Sequence, residues 1–501
     1  MDGSLEPDRL GELTGTVRSV GQLYRLSWFR NGDGLQVAVA ANRLAAAGFK
    51  VWRCLEPEGA AEAGDYLVEV SPALAGALHA AGIRLEPWAG KRARSACPIK
   101  PAAVAVLAGK ASAYPYYGYY ALALARLGYA FRPVDGSDIA GGALERENLL
   151  VLPGGFSNWG LDSKEEAVGA DLAVRSFLAG GGGAVASCGG AYYLSRGRSA
   201  WLGLADARPV FTQEYLRTGV GVVTCRLEPG RHRLGLPPTI EIPYFHGPVY
   251  DELGPGSTAL ATFRDLYGHG RLFIDNSLSE ETFRRDMQGR VAAVRACGPR
   301  GQAVLFSPHP EMGELLRKYM SLETYIPRYL PVRGELVMRE TLDSFRPQES
   351  RSFLMVLNAV EDLLQAAPES TGPADEPPAA DEVRAATSKL VEAWRTRAAA
   401  VEPSPGGVGD LERHILAGLE RRLAPAAEQL DRTMDRLPDS GGDGARIAGS
   451  FAVLAAHACA AWADPPERRP AELLLEIELA LLCMEAWVGM AEIHIVVRAH
   501  A

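Results

Sequence analysis

The sequence predicts an α/β protein built on a doubly wound parallel sheet, with a small N-terminal α/β unit before it and a C-terminal helical bundle after it. Three observations support this. Short apolar runs alternate with helix-like segments over residues 102–325, the rhythm of parallel strands joined by crossover helices. Several of these runs end on glycine turns or on residues able to do chemistry. From about residue 381 the apolar positions follow helical spacing to the end.

Composition narrows the class. The 501 residues carry 52 Lys and Arg against 61 Asp and Glu, a net charge of −9, with 47% hydrophobic residues. That is ordinary for a globular chain, and the length predicts two to four domains. An acidic balance argues against a protein whose main task is gripping nucleic acid. Seven scattered cysteines form no disulfide framework. The start, Met1-Asp2-Gly3-Ser4-Leu5-Glu6, lacks a basic-then-apolar secretory pattern. The nearest approach to a membrane span, Ala471 to Val497, is broken by Glu472, Glu476, Glu478, Glu485 and Glu492. The expectation is a cytoplasmic protein with no membrane or nucleic-acid partner and no cofactor.

Residues 1–98 read as the small α/β unit. Gln36–Ala47 is helix-like, and Phe49–Cys54 and Tyr66–Val70 are strand-like. Ser71-Pro72 supplies an N-cap and a first-turn proline, and Gly82 can close that helix. Ile83–Trp88 returns to an extended pattern, and His79 reads as a helix-surface residue. Lys91-Arg92-Ala93-Arg94 and Pro98–Pro101 mark a boundary.

Residues 102–325 form the central domain. Ala103–Ala108, Tyr129–Val134, Leu149–Leu152 and Ala184–Ser187 are strands, with helices at Tyr119–Leu127 and Glu165–Ala179. Residues 326–366 are mixed and include a helix over Ser352–Gln365. Residues 367–380 are a linker by composition. Residues 381–501 divide into helices Val383–Val401, Leu411–Leu437, Arg446–Ala463 and Ala471–Arg498. Pro403/Pro405, Pro438 with Gly441-Gly442, and Pro465/Pro466 separate them. Pro425 should kink the second. A four-helix bundle is the simplest arrangement.

Ligands of such sheets bind beyond the carboxyl ends of the strands, and three motifs fall there. Ser187-Cys188-Gly189-Gly190-Ala191-Tyr192 follows an apolar strand and precedes a helix. A sharp turn with small neighbours pushes the cysteine forward as a nucleophile. Val304-Leu305-Phe306 leads into Ser307-Pro308-His309-Pro310-Glu311. His309 can take the thiol proton, and Glu311 can hold the imidazole. Leu152-Pro153-Gly154-Gly155 is a glycine turn, and N–H groups of Gly155 and Gly189 are the natural oxyanion donors if the loops meet. Gly154, Gly190, Tyr192 and His246 are weaker substrate-binding candidates; His246 equally suits a satisfied loop histidine. Tyr114, Tyr116, Tyr117, Tyr119 and Tyr120 follow the first strand, where packing and substrate contact both explain them. Gly118 among them implies a close backbone approach.

Cys54, Cys97, Cys225 and Cys297 lack paired zinc spacing, and no phosphate-binding loop is present. His457, Cys459, Cys483, Glu485 and His494 fit packing better than a metal site, because Glu492-Ile493-His494 puts its two ligand types on different helix faces.

The order strand-LPGG, strand-Cys-Gly, strand-His-Pro-Glu resembles the class I glutamine amidotransferase-like superfamily. Gly182-Gly183, Tyr244 to Tyr250 (YFHGPVY) and Gly301 to Glu311 (GQAVLFSPHPE) bring it closest to the biotin-protein-ligase N-terminal domain family. The resemblance covers about 102–320. It implies a flavodoxin-like fold, a Cys188–His309–Glu311 triad, and amide chemistry through a thioester on a small-molecule amide or acyl substrate. Two departures matter. Glutamine-hydrolysing members usually carry a Gln shortly after the nucleophile, whereas Ala191-Tyr192-Tyr193 stands here, which argues against glutamine. No biotin-ligase catalytic domain follows, so biotin transfer is not inherited. The competing expectations are a non-catalytic scaffold that meets a protein partner through the C-terminal helices, and a subunit that hands ammonia or an acyl group to a synthetase.

Overall fold

The computed structural model describes residues 21–90, 92–210, 218–267, 276–299, 301–368, 380–437, 443–463 and 469–501. The chain start, Lys91, most of the 367–380 linker, Pro438 with Gly441-Gly442, and Pro465/Pro466 lie outside the described residues.

The N-terminal unit is an antiparallel sheet of β1 (Gln22–Leu26), β2 (Lys50–Cys54), β3 (Tyr66–Val70), β4 (Leu85–Pro87) and β5 (Ala96–Pro98), in the order β4-β1-β3-β2-β5. The short β5 lies within the stretch expected to be a boundary. Helix Gly34–Ala46 starts where Asp33 accepts the Leu35 N–H at 2.9 Å. Helix Pro72–Ala80 starts as predicted, with Ser71 accepting the Leu74 N–H at 3.2 Å, and His79 is exposed. The unit is bound to its neighbour by buried polar contacts. Asn42 and Arg43 donate at 2.7 Å to the Leu127 and Gly128 carbonyls, which end the next helix. Arg53 and Tyr66 donate to the Glu361 carboxylate at 2.6 and 2.7 Å.

The main sheet begins with β6 (Val104–Leu107), β7 (Phe131–Val134), β8 (Leu149–Leu152) and β9 (Gly183–Ser187). Next come β10 (Ala207–Pro209), β11 (Val220–Leu227), β12 (Thr239–Phe245), β13 (Tyr250–Leu253), β14 (Ser257–Leu266) and β15 (Val291–Gly298), and then β16 (Gly301–Phe306). β7-β6-β8-β9-β16 are parallel, which is the flavodoxin-like order 2-1-3-4-5. β10 to β15 continue the same sheet antiparallel. The strand–helix rhythm gave no sign of this extension, because tight connections largely replace crossover helices there.

One predicted helix is corrected. Over 165–179 only Ala170–Ala179 is continuous helix. The Glu165 carboxylate accepts from the Lys110 and Ala111 N–H groups at 3.0 and 2.5 Å. Glu166 (φ +58°) and Gly169 (φ +100°) then leave helical backbone.

Helices Ala380–Ala399, Gly407–Met434, Asp443–Ala463 and Pro470–Arg498 pack as the expected bundle. Pro425 lies inside the second without ending it. The third is long and apolar enough to cross a membrane by length and composition, with half of its most apolar window buried in the protein.

The terminal helix belongs to more than the bundle. It packs against Gly407–Met434 and almost as closely against helix Tyr116–Arg126 of the central domain. The glutamates that interrupt its apolar run are partly internal. Glu476 (3% exposed) meets Arg397 at 3.3 Å and the Trp462 indole at 3.2 Å. Glu478 (2% exposed) accepts from Lys318 and Tyr319, both at 2.6 Å. Gly118 makes the close approach the sequence implied. A Cβ there would lie 2.9 Å from the Tyr114 ring and 3.0 Å from a Leu479 methyl, and the Gly118 carbonyl accepts from the Cys483 thiol at 3.4 Å.

Gly118→Val should therefore cost about 1–3 kcal/mol by overpacking this seam. Urea unfolding is the measurement, and an unchanged midpoint would show that the seam gives way freely.

Candidate active site

Pro153-Gly154-Gly155 follows β8, Cys188 follows β9, and His309 and Glu311 follow β16. Because these strands are adjacent and parallel, all three motifs emerge at one sheet edge. Cys188 takes φ +47° and ψ −107° between β9 and the short helix Gly189–Leu194, a backbone rarely adopted by a residue with a side chain. The turn holds it half-buried, and its thiol donates to the Phe245 carbonyl at 3.1 Å.

His309 and Glu311 are each 1% exposed. Nδ1 of His309 lies 2.7 Å from one Glu311 oxygen. Nε2 is buried with no partner of normal hydrogen-bond geometry, and with Nδ1 engaged it is the atom left toward the Cys188 sulfur. Burial pushes the imidazole pKa down, but the Glu311 carboxylate and the Cys188 sulfur outweigh it and raise the pKa to about 10. The imidazole is thereby a strong proton acceptor beside the sulfur. The His309 backbone is fixed by its N–H on the Pro243 carbonyl at 2.8 Å.

The glycines act through close approach. A Cβ on Gly154 would sit 2.7 Å from His309 Cε1 and 3.7 Å from Cys188 Cβ, so a bare backbone leaves room for the imidazole. A Cβ on Gly189 would lie 2.2 Å from the Gly155 oxygen and 3.2 Å from its nitrogen. The two candidate oxyanion residues therefore meet. Gly155 itself adopts φ +126°.

The weaker candidates separate. Gly190 packs on the Leu152 carbonyl, 2.4 Å from where its Cβ would be. Tyr192 is buried with its ring 5.3 Å from that of Trp201 and does not line the neighbouring cleft. His246 exchanges hydrogen bonds with the Gly219 backbone, its N–H donating at 3.0 Å and its Nδ1 accepting at 3.2 Å. At φ +51° it turns the chain directly after the Phe245 carbonyl that meets Cys188.

Two residues take roles that the sequence reading did not assign. Ser187 donates to the second Glu311 oxygen at 2.9 Å. Its one hydroxyl proton is thus spent, so the 2.6 Å contact with Tyr120 is a donation from the Tyr120 phenol. Burial holds that phenol well above its usual pKa. The series Tyr120–Ser187–Glu311–His309 is a buried hydrogen-bonded chain that ends at the cysteine. The only clue in the sequence was the polar residue closing an otherwise apolar β9.

A cleft of about 400 Å³ opens beside the site. Of the residues that border it, Phe156 follows Gly155, Met312 follows Glu311, and Phe245 supplies the carbonyl that meets Cys188. The terminal helix forms the facing wall through Glu472, Leu475 and Glu476. All seven cysteines are free. Among the described residues, no three His, Cys, Asp or Glu side chains gather in a way that could hold a metal ion. Glu485 pairs with Arg422, and His457 packs against Tyr117.

No family model matches the chain, and no curated protein does. Solved structures similar to it include a glutamine amidotransferase, 22% identical, with a TM-score of 0.27, covering 42% of this chain and 90% of that one. A putative GMP synthase subunit from Thermoplasma acidophilum is 13% identical, with a TM-score of 0.32 and coverage of 53% and 95%. A glutamine amidotransferase from Thermotoga maritima is 15% identical, with a TM-score of 0.32 and coverage of 53% and 98%.

Two outcomes follow from this geometry. Gly154→Ala should displace the imidazole and slow Cys188 alkylation by iodoacetamide at least about tenfold, the equivalent of 1.4 kcal/mol, while circular dichroism stays unchanged. A raised histidine pKa stabilises the fold fully below the unfolded value of 6.5, and this contribution is lost as pH rises through about 10. The stability advantage of wild type over His309→Gln should therefore shrink across that window in urea titrations. An advantage that grows with pH would contradict the assignment.

Proposed function

We propose that the protein is a cysteine-dependent amidase or amidotransferase-like hydrolase of the class I glutamine amidotransferase-like superfamily, with the biotin-protein-ligase N-terminal domain family as its closest pattern. The observation that carries this reading is the buried His309 imidazole, held at Nδ1 by Glu311 and left open at Nε2 beside a cysteine on a strained turn.

In the first half-reaction the Cys188 thiol gives its proton to His309 Nε2 and its sulfur attacks an amide carbonyl carbon. An S–C bond forms, and the carbonyl π electrons move to oxygen, where the Gly155 and Gly189 N–H groups receive the charge. Collapse breaks the C–N bond, and the proton on His309 Nε2 passes to the departing amine. In the second half, water attacks the thioester and gives its proton to Nε2. The C–S bond breaks, the acid leaves, and the Nε2 proton returns to the sulfur. Glu311 stays ionised and keeps the ring in the orientation both transfers need. Ser187 and Tyr120 are positioning residues, acting through Glu311.

A scaffold without catalysis is the alternative, but it gives no reason to bury an imidazole with its Nε2 toward a cysteine on a strained turn, an arrangement that costs stability and that catalysis uses.

Intact-mass analysis with a chloroacetamide probe should show one rapid adduct, located at Cys188. Cys188→Ala should abolish it, and His309→Ala should reduce its rate to that of the other cysteines. Glu311→Gln should lower turnover of an acylating ester by orders of magnitude, on the order of 10⁴-fold where a triad depends on its acid. Equal labelling of Cys188 and Cys297, which is also accessible, would overturn the reading.

A further inference from the structure

We propose that the substrate carries an aryl or branched apolar group on its acyl side, and that this group occupies the cleft between the Cys188 edge and the terminal helix. The inference rests on the cysteine-hydrolase reading and adds the substrate class to it.

The cleft adjoins the reacting centre through residues next to it; Cys188, His309 and Gly155 themselves do not line it. The carbonyl of Phe245 meets the Cys188 thiol, and Phe156 directly follows the oxyanion glycine Gly155. His309 Cε1 lies 2.7 Å from where a Gly154 Cβ would be, whereas Phe156 and Phe245 line the cleft. On this assignment the amine leaves on the His309 side, where it takes its proton, and the acyl group lies on the Phe156 and Phe245 side.

The lining is chiefly apolar: Tyr116, Phe156, Phe245, Met312, Leu316 and Leu475. Phe156 is 47% and Phe245 37% exposed, and both line the same concavity, an open apolar surface of the kind that marks a binding groove. At about 400 Å³ the space falls within the range that holds small-molecule ligands.

The charged groups at its border are already engaged. Lys110 pairs with Glu166 at 2.6 Å, Glu472 with Arg469 at 2.6 Å, and Glu476 with Arg397 at 3.3 Å. A zwitterionic amino-acid head group would need to break two of these pairs to gain partners of its own. An apolar group breaks none and displaces water from aromatic surface.

The test keeps one leaving group and changes the acyl group. Turnover of p-nitrophenyl 3-phenylpropionate and p-nitrophenyl acetate is compared after correction for uncatalysed hydrolysis, with intact mass reporting acylation of Cys188. The kcat/KM ratio should favour phenylpropionyl by more than about tenfold. Leu475→Trp, which fills the cleft, and Phe156→Ala, a half-exposed position that tolerates truncation, should each lower that ratio at least about fivefold. Acylation of Cys188 by both esters with a ratio near unity, or a ratio that neither variant changes, would overturn the cleft assignment and leave the hydrolase reading standing. If neither ester adds an acyl mass to Cys188, the hydrolase reading falls and takes this inference with it.

Discussion

The structure depends on burying two carboxylates two residues apart on one helix. Glu476 and Glu478 point to different sides of the terminal helix, because successive residues on a helix are about 100° apart. Each is almost fully buried, so each needs a partner, or ionisation would be prohibitively costly. Glu476 finds Arg397 and Trp462 in the bundle. Glu478 finds Lys318 and Tyr319, on the helix Gly313–Glu323 that begins directly after the triad loop. One helix thus ties the C-terminal bundle to the element that follows Glu311. The remaining faces are filled by Leu474, Ile477, Leu479 and Leu481, all fully buried.

The edge that carries Cys188 and His309 is held by a different kind of constraint, the close approach of backbones. Gly154 leaves space for the imidazole, and Gly189 lies against Gly155. Gly247 lies against the Ser307 carbonyl, 1.9 Å from where its Cβ would be. Side chains at these points would separate loops that must converge. Within that cradle the polar atoms form a single series from Tyr120 to His309, leaving Nε2 as the terminal atom. A fully paired network would be inert; one open end beside a nucleophile is what general acid–base chemistry uses.

The parallel half of the fold and the meeting of three motifs were legible because each has a local signature. An apolar run followed by Gly-Gly, Cys-Gly-Gly or His-Pro-Glu declares both a strand and what stands at its end. The antiparallel strands β10 to β15 were not legible, since their identity lies in pairing between distant segments. Ser187 and Tyr120 were missed for a similar reason, because hydrogen bonds across 67 residues leave no spacing to read. The segment 165–169 was misread because Glu165 suits a helix by propensity, yet its carboxylate is claimed by the backbone after β6. Glu476 and Glu478 read only as breaks in an apolar run; the cations that pair with them, Arg397 and Lys318, lie 79 and 160 residues away.

The same ion pairs bear on recognition. A buried pair adds little net stability compared with well-packed apolar residues of similar size, so stability alone is a weak reason to keep two of them. Their geometric consequence is stronger. The terminal helix has only one rotation about its axis that satisfies both carboxylates, Glu476 toward Arg397 and Glu478 toward Lys318. In that rotation Glu472, Leu475 and Glu476 border the cleft beside Cys188. A purely apolar helix could turn or slide by a residue and still bury its surface, and the wall would change each time. On the proposed reading, chemistry and recognition lie in separate parts of the chain, the first on the edge of the parallel sheet and the second on a helix that begins more than 150 residues beyond Glu311. The buried carboxylates hold the two in register.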